Sequence, residues 1–93
     1  MPTYIVLTNF TDQGLRDIKD TTKRADAFKA LAKASGATVK DIYWTLGAHD
    51  LVGIVEAPND ETLTRALLAL GAQGNVRTTT LRAFSAEEFA KLA

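Results

Sequence analysis

Apolar and polar positions alternate along this chain with two distinct periods, and the places where the period switches mark its elements. Thr3-Tyr4-Ile5-Val6-Leu7-Thr8-Asn9-Phe10 is β-branched and aromatic, bounded by Pro2 and the turn-forming Thr11-Asp12-Gln13-Gly14, and reads as a strand. From Asp12 to Ser35 the apolar residues take helical spacing: Leu15 and Ile18 in a first short piece, then Ala25, Phe28, Leu31 and Ala32 on one stripe. Asp20, Thr21 and Thr22 favour caps over helix interiors and predict a break between the pieces, and Gly36 supplies the stop. A second strand over Val39 to Leu46, a tight turn at Gly47-Ala48 and a third strand over His49 to Ala57 form a hairpin. Asn59 or Asp60 caps a second long helix whose stripe is Leu63, Ala66, Leu67 and Leu70, ended by Gly71 and Gly74. A fourth strand covers Asn75 to Phe84, and Ser85-Ala86-Glu87-Glu88 has the spacing of a capping box before a short helix able to bury Phe89 and Leu92.

The order β-α-β-β-α-β with a tail helix is the ferredoxin-like α+β plan, a four-stranded antiparallel sheet with two main helices on one face, and we expect one domain over residues 1–93. The two halves echo each other weakly, Asn9-Phe10-Thr11-Asp12-Gln13 standing where Ala57-Pro58-Asn59-Asp60-Glu61 stands later. The first and third strands break the alternation expected of a half-solvated sheet. Ile5 and Leu7 oppose Tyr4, Val6 and Phe10, and Val52 and Ile54 oppose Leu51 and Val55, so both sheet faces read as apolar. Two helices cover one face only; a second copy of the chain, packed as in a dimeric α/β barrel, is the expected cover for the other. The alternative is that the chain's own C-terminal helix folds across it.

Composition narrows the function classes. The 93 residues carry 11 basic and 11 acidic side chains and no cysteine. Balanced charge disfavours a protein held to nucleic acid by phosphate neutralisation, and the missing thiols exclude disulfides, thiolate metal clusters and a cysteine nucleophile. No apolar run approaches a membrane span and the N-terminus lacks the pattern of an export signal, so the expectation is a cytoplasmic protein with neither nucleic acid nor membrane as partner. No phosphate-binding glycine loop, nucleophile elbow or paired-histidine zinc helix is present, and no cofactor or metal is expected.

Two clusters carry candidate chemistry. The fourth strand places Thr78, Thr80 and Arg82 on one face and Arg77, Thr79 and Leu81 on the other; Arg77 with Thr78 offers a guanidinium and a hydroxyl to a carboxylate or phosphate. A solvated edge strand is the plainer reading of the same residues. The hairpin turn gathers Tyr43, Trp44, His49 and Asp50, including the only tryptophan and the only histidine. Trp44 can stack on a planar ligand, and His49 is the candidate to move a proton, although neighbouring strand residues point apart and an Asp50–His49 dyad is awkward.

The stretches Tyr4-Ile5-Val6-Leu7-Thr8-Asn9-Phe10-Thr11-Asp12-Gln13-Gly14, Lys23-Arg24-Ala25, Tyr43-Trp44-Thr45-Leu46-Gly47, Glu56-Ala57-Pro58-Asn59-Asp60-Glu61 and Gly74-Asn75-Val76-Arg77-Thr78 together resemble the GYD-domain family of small bacterial and archaeal proteins. The family's Gly, Tyr, Asp signature falls on Gly47, His49 and Asp50, with histidine in the tyrosine position. The resemblance implies a ferredoxin-like fold and brings no reaction or cofactor. Two functions follow as expectations: a homo-oligomer binding or sensing a small anionic or planar ligand in intersubunit grooves through Trp44, His49, Asp50, Arg77 and Thr78, or a small cofactor-independent enzyme of the dimeric α/β-barrel type using His49 in a cavity between sheet and helices.

Overall fold

The computed structural model describes residues Met1 to Ala93. Four strands, β1 (Thr3–Phe10), β2 (Thr38–Trp44), β3 (Leu51–Glu56) and β4 (Val76–Ala83), form one antiparallel sheet in the order β2-β3-β1-β4. The helices are α1 (Asp12–Arg16), α2 (Thr21–Ser35), α3 (Asp60–Ala72) and α4 (Ala86–Leu92), with a 3-10 turn at Ile18–Asp20 between α1 and α2. This is the ferredoxin-like α+β arrangement, and the expected break before α2 is that 3-10 turn.

Helix ends follow from local chemistry. The Thr11 hydroxyl accepts from the Gly14 amide to cap α1, and the Asn59 side chain accepts from the Thr62 amide to cap α3. The two caps occupy matching places in the weak internal echo, each followed by an aspartate that complements the positive end of its helix. Gly36, at φ +99°, closes α2, and the Ala37 amide reaches back to the Ala32 carbonyl at 2.8 Å. Ser85 and Glu88 complete the capping box of α4. Gly71 lies inside α3 rather than at its end; Gly74, at φ +84°, is the residue that turns the chain into β4.

Sheet register assigns the two faces. Tyr4 lies opposite Val55 and Arg82, Val6 opposite Gly53 and Thr80, and Thr8 opposite Leu51 and Thr78. Tyr4, Val6 and Val55 are buried with Leu63, Ala66 and Ala32 of the helices, so this is the helix-covered face. On the other face stand Ile5, Leu7, Val52, Ile54, Tyr43 and Leu81, all at least partly exposed. The core is correspondingly thin: 11 of the 93 residues are buried, and Leu63 and Val55 are the largest side chains wholly inside. The C-terminal helix does not add to it. Phe89 and Leu92 of α4 remain 58% and 65% exposed, against the expectation that α4 would bury them, and no part of this chain lies across the open sheet face.

Candidate functional site

The hairpin is wider than its sequence suggests. Strand pairing ends at Trp44 opposite Leu51, so His49 and Asp50 belong to a loop over residues 45–50 and not to β3. The Thr45 amide donates to the Asp50 carbonyl at 2.8 Å and the Thr45 hydroxyl to the His49 carbonyl at 2.6 Å, bracing the base of the loop. Gly47, at φ +104°, turns the tip and leaves Leu46 fully exposed.

The loop is shaped from a distant strand. Asn9 Nδ2 donates to the Ala48 carbonyl at 2.7 Å, which leaves Asn9 Oδ1 to accept from His49 Nδ1 at 3.0 Å. His49 therefore spends its Nδ1–H on Asn9. Asp50 Oδ2 accepts from the Phe10 amide at 2.8 Å, and the Asp50 amide donates to the Thr8 carbonyl at 2.8 Å. The two neighbours hold different parts of β1 and form no dyad. Asn9 is the residue that ties the loop to β1, through Ala48 and His49; beyond its place in the family-like opening stretch, its sequence signal is a polar side chain at the end of an apolar strand.

Arg77 lies opposite Asn9 in the β1–β4 register and so belongs to the same corner of the open face as His49. Thr78, one residue on, belongs to the covered face. Both residues nevertheless border a shallow trough along the edge of β4, whose other walls include Thr64, Leu67, Leu68 and Thr80. Trp44 is apart from them. Its indole Nε1 donates to Thr21 Oγ1 of α2 at 3.0 Å on the helix side of the sheet, while Tyr43 is on the open side. The structure thus brings His49, Asp50 and Arg77 to one end of the sheet around Asn9, places Thr78 beside Arg77 in the edge trough, and puts Trp44 on another surface.

At the opposite end of β1, Tyr4 donates its hydroxyl proton to Asp60 Oδ1 at 2.5 Å, and this bond, with burial beside a carboxylate, holds the phenol above its ordinary pKa. Arg82 is packed against aromatics, its guanidinium carbon 4.3 Å from the Phe84 ring centre and 5.8 Å from that of Tyr4, and it donates to the Thr3 and Ala83 carbonyls. It is engaged within the chain and is not the free fork its strand position suggests.

A cavity of about 60 Å³ does lie between the sheet and the helices, with Val6, Phe10, Phe28, Ile42 and Leu51 among its walls. Neither His49 nor Asp50 lines it, so the proton-moving arrangement expected of a barrel-type enzyme is not assembled within one chain. No group of three or more histidine, cysteine, aspartate or glutamate side chains is placed to hold a metal ion, and no helix is long and apolar enough to cross a membrane.

An antiparallel sheet carrying its helices on one face, with an apolar face left open, defines a ferredoxin-like α+β protein. Within that class the chain belongs to the GYD domain family, which it matches over residues 4–93. A relative from Thermus thermophilus, the glutamine synthetase and cystathionine beta-lyase binding protein, is 38% identical over 84 residues, covering 89% of this chain and 88% of the relative. Among solved structures, TTHA0845, also from Thermus thermophilus, superposes with a TM-score of 0.60 at 26% identity, over 92% of this chain and 96% of the other. FFRP-DM1 shares the fold at a TM-score of 0.63 and 19% identity, over 90% of this chain and the whole of the other. MtbAldR (Rv2779c) does so at 0.63 and 18%, over 90% of this chain and 52% of the other.

Proposed function

We propose that this chain is a binding protein that assembles with copies of itself through the open sheet face and docks onto metabolic enzymes. The observation that carries the reading is the 38% identical relative, which is named for binding glutamine synthetase and cystathionine beta-lyase and aligns along nearly the whole chain. The structure is consistent with it in two respects. Ile5, Leu7, Val52, Ile54, Tyr43 and Leu81 make an apolar face that would be dry only against another molecule. With strands of up to eight residues, that face measures on the order of 25 by 20 Å, which suits one side of an ordinary protein interface. At its corner, His49 and Arg77 supply polar groups of the kind found at an interface rim, with Arg77 able to take a partner's carboxylate in a two-pronged hydrogen bond. Thr78 and the edge trough extend that rim, Asp50 braces the loop that carries His49, and Trp44 stands apart on the helix side. A small anion held between subunits by Arg77 and His49 uses the same corner and is the finer form of this reading.

The test is direct binding to purified glutamine synthetase and cystathionine beta-lyase from the chain's own source, by interferometry, with light scattering run on the free protein. Saturable binding to either enzyme, weakened by Arg77→Ala, supports the reading. A free protein that is monomeric at micromolar concentration, or no binding to either enzyme, overturns its respective half.

A further inference from the structure

The cavity between sheet and helices has features that the enzyme-docking reading does not use. One of its walls is Gly53, which stands in the middle of β3 on the helix-covered face, opposite Val6. Glycine there is not required by the backbone, since its φ is not positive. Nor is it required by crowding: a Cβ at this position would meet only the Val6 Cβ at 3.9 Å and the Asp41 carbonyl oxygen at 4.0 Å, ordinary contacts. Glycine weakens a strand, and here, beside the irregular pairing of β2 between Val39 and Asp41, it leaves room next to Val6 that a larger side chain would fill.

One side of this mostly apolar cavity carries two polar residues. Arg24 and Thr21 both line it, three residues apart on one face of α2. Arg24 is half-buried and takes part in neither of the chain's two ion pairs, Lys29 with Asp26 and Lys40 with Glu56. Its Nη1 donates to the Asp17 carbonyl at 2.8 Å and its Nη2 to the Gly14 carbonyl at 3.1 Å. Those bonds orient the guanidinium, leave it three further N–H donors and give it no counter-charge. Thr21 accepts from the Trp44 indole and keeps its own hydroxyl proton to donate.

From this juxtaposition we infer that the cavity is a binding site for a small carboxylate with a compact apolar body, the carboxylate held by Arg24 and Thr21 and the body lying in the space over Gly53. Size fits the class: a cavity of about 60 Å³ has room for more than a single water and suits the body of a small ligand. Phe10, Phe28, Ile42 and Leu51 give that body apolar walls, so neither a bare anion nor a large aromatic acid suits the site. Trp44 reports on it, being hydrogen-bonded to one of the two residues that would receive the carboxylate.

The probe is 3-methylbutanoate, with 3-methylbutanol as the uncharged counterpart and acetate as the acid without the body. Titration to about 50 mM, the range suited to so small a ligand, should give a saturable change in Trp44 fluorescence with 3-methylbutanoate, accompanied by a shift of the Gly53 amide resonance. Arg24→Gln should weaken the acid at least tenfold and leave the alcohol unchanged. Gly53→Val places its methyls in the cavity and should abolish binding while melting no lower than the parent, which separates a filled site from a damaged fold. The inference is overturned by any of three results: no saturable binding of 3-methylbutanoate, binding that survives Gly53→Val, or acetate or the alcohol binding as tightly as the acid. Enzyme docking is measured separately, and its failure leaves these results untouched.

Discussion

Replacing Gly14 by alanine is expected to cost more stability than any other single methyl added to this chain's glycines. Gly14 is buried where α1 presses on the segment entering β4, and a Cβ there would stand 2.1 Å from the Asn75 carbonyl oxygen and 3.1 Å from its carbonyl carbon. The obstacle is backbone, so relief requires α1 and the 73–75 segment to separate by on the order of 1 Å, the kind of overpacking strain that a tight core resists. That separation pulls on four hydrogen bonds that clasp the two segments. The Thr11 amide donates to the Asn75 carbonyl at 3.0 Å and the Thr11 hydroxyl to the Gly74 carbonyl at 2.6 Å; Gln13 Nε2 donates to the Gln73 carbonyl at 2.9 Å and to Asn75 Oδ1 at 3.0 Å. The Gln13 bonds are exposed and contribute little; losing the Thr11 pair at about 1 kcal/mol each and adding residual strain gives about 2–3 kcal/mol. For a chain of this size that is a fall of about 10–20 °C in melting temperature. Gly71→Ala is the control: nothing lies within 4 Å of a Cβ there, the residue is helical, and the change should stabilise by about 0.5–1 kcal/mol. Urea and thermal unfolding at one protein concentration measure both. A Gly14→Ala protein within about 1 kcal/mol of the parent would refute the reasoning, because it would mean that the clasp yields without loss.

Three further outcomes are expected. Tyr4→Phe removes the bond to Asp60 and should destabilise by about 1–2 kcal/mol; because the fold favours the protonated phenol, the stabilisation by Tyr4 is complete below the unfolded phenol pKa near 10 and is lost as pH rises through the raised folded value, so alkaline unfolding curves of parent and variant should converge. Glu88 accepts from the Ser85 amide, which lowers its pKa; the first turn of α4 should therefore keep its amide protection above the usual carboxylate range and lose it as pH falls through the lowered value, a dependence that Glu88→Gln abolishes in hydrogen exchange. Leu81→Asp puts a charge on the open sheet face, which should leave the fold intact and shift the light-scattering mass toward the monomer; an unchanged mass would place self-association elsewhere.

The elements and the sheet faces were legible because their signals are local. Period two along Tyr4 to Thr8 and Leu51 to Val55 sorts side chains by face whatever the rest of the chain does, and the Ser85–Glu88 box and Gly36 stop act within a turn of themselves. The hairpin loop was not legible in the same way. The sequence reads as strand to Leu46, a two-residue turn at Gly47-Ala48 and strand again from His49, but Asn9 takes the Ala48 carbonyl and the His49 ring, and its partners are 39 and 40 residues away in sequence. Arg24 was hidden for a related reason. Among Asp17, Lys19, Asp20 and Lys23 it reads as part of a solvated charged face; only the break between α1 and α2 exposes the Asp17 and Gly14 carbonyls that draw it against the cavity.

That difference bears on the family position occupied by His49. A histidine acting as a general base must offer a ring nitrogen to a bound substrate within hydrogen-bond reach. Here one nitrogen is committed to Asn9, and the cavity between sheet and helices is lined by other residues. What the side chain does within one chain is hold the loop to the end of β1, a task that asks for a donor to Asn9 Oδ1 and for nothing titratable. On the proposed reading, the corner formed by Asn9, His49 and Arg77 would act through its shape and its hydrogen-bonding groups, as an interface does. Chemistry at Nε2 would need a second molecule to complete its surroundings, so a test of any role for that nitrogen belongs with the proposed self-association, measured on His49→Ala in the same light-scattering assay.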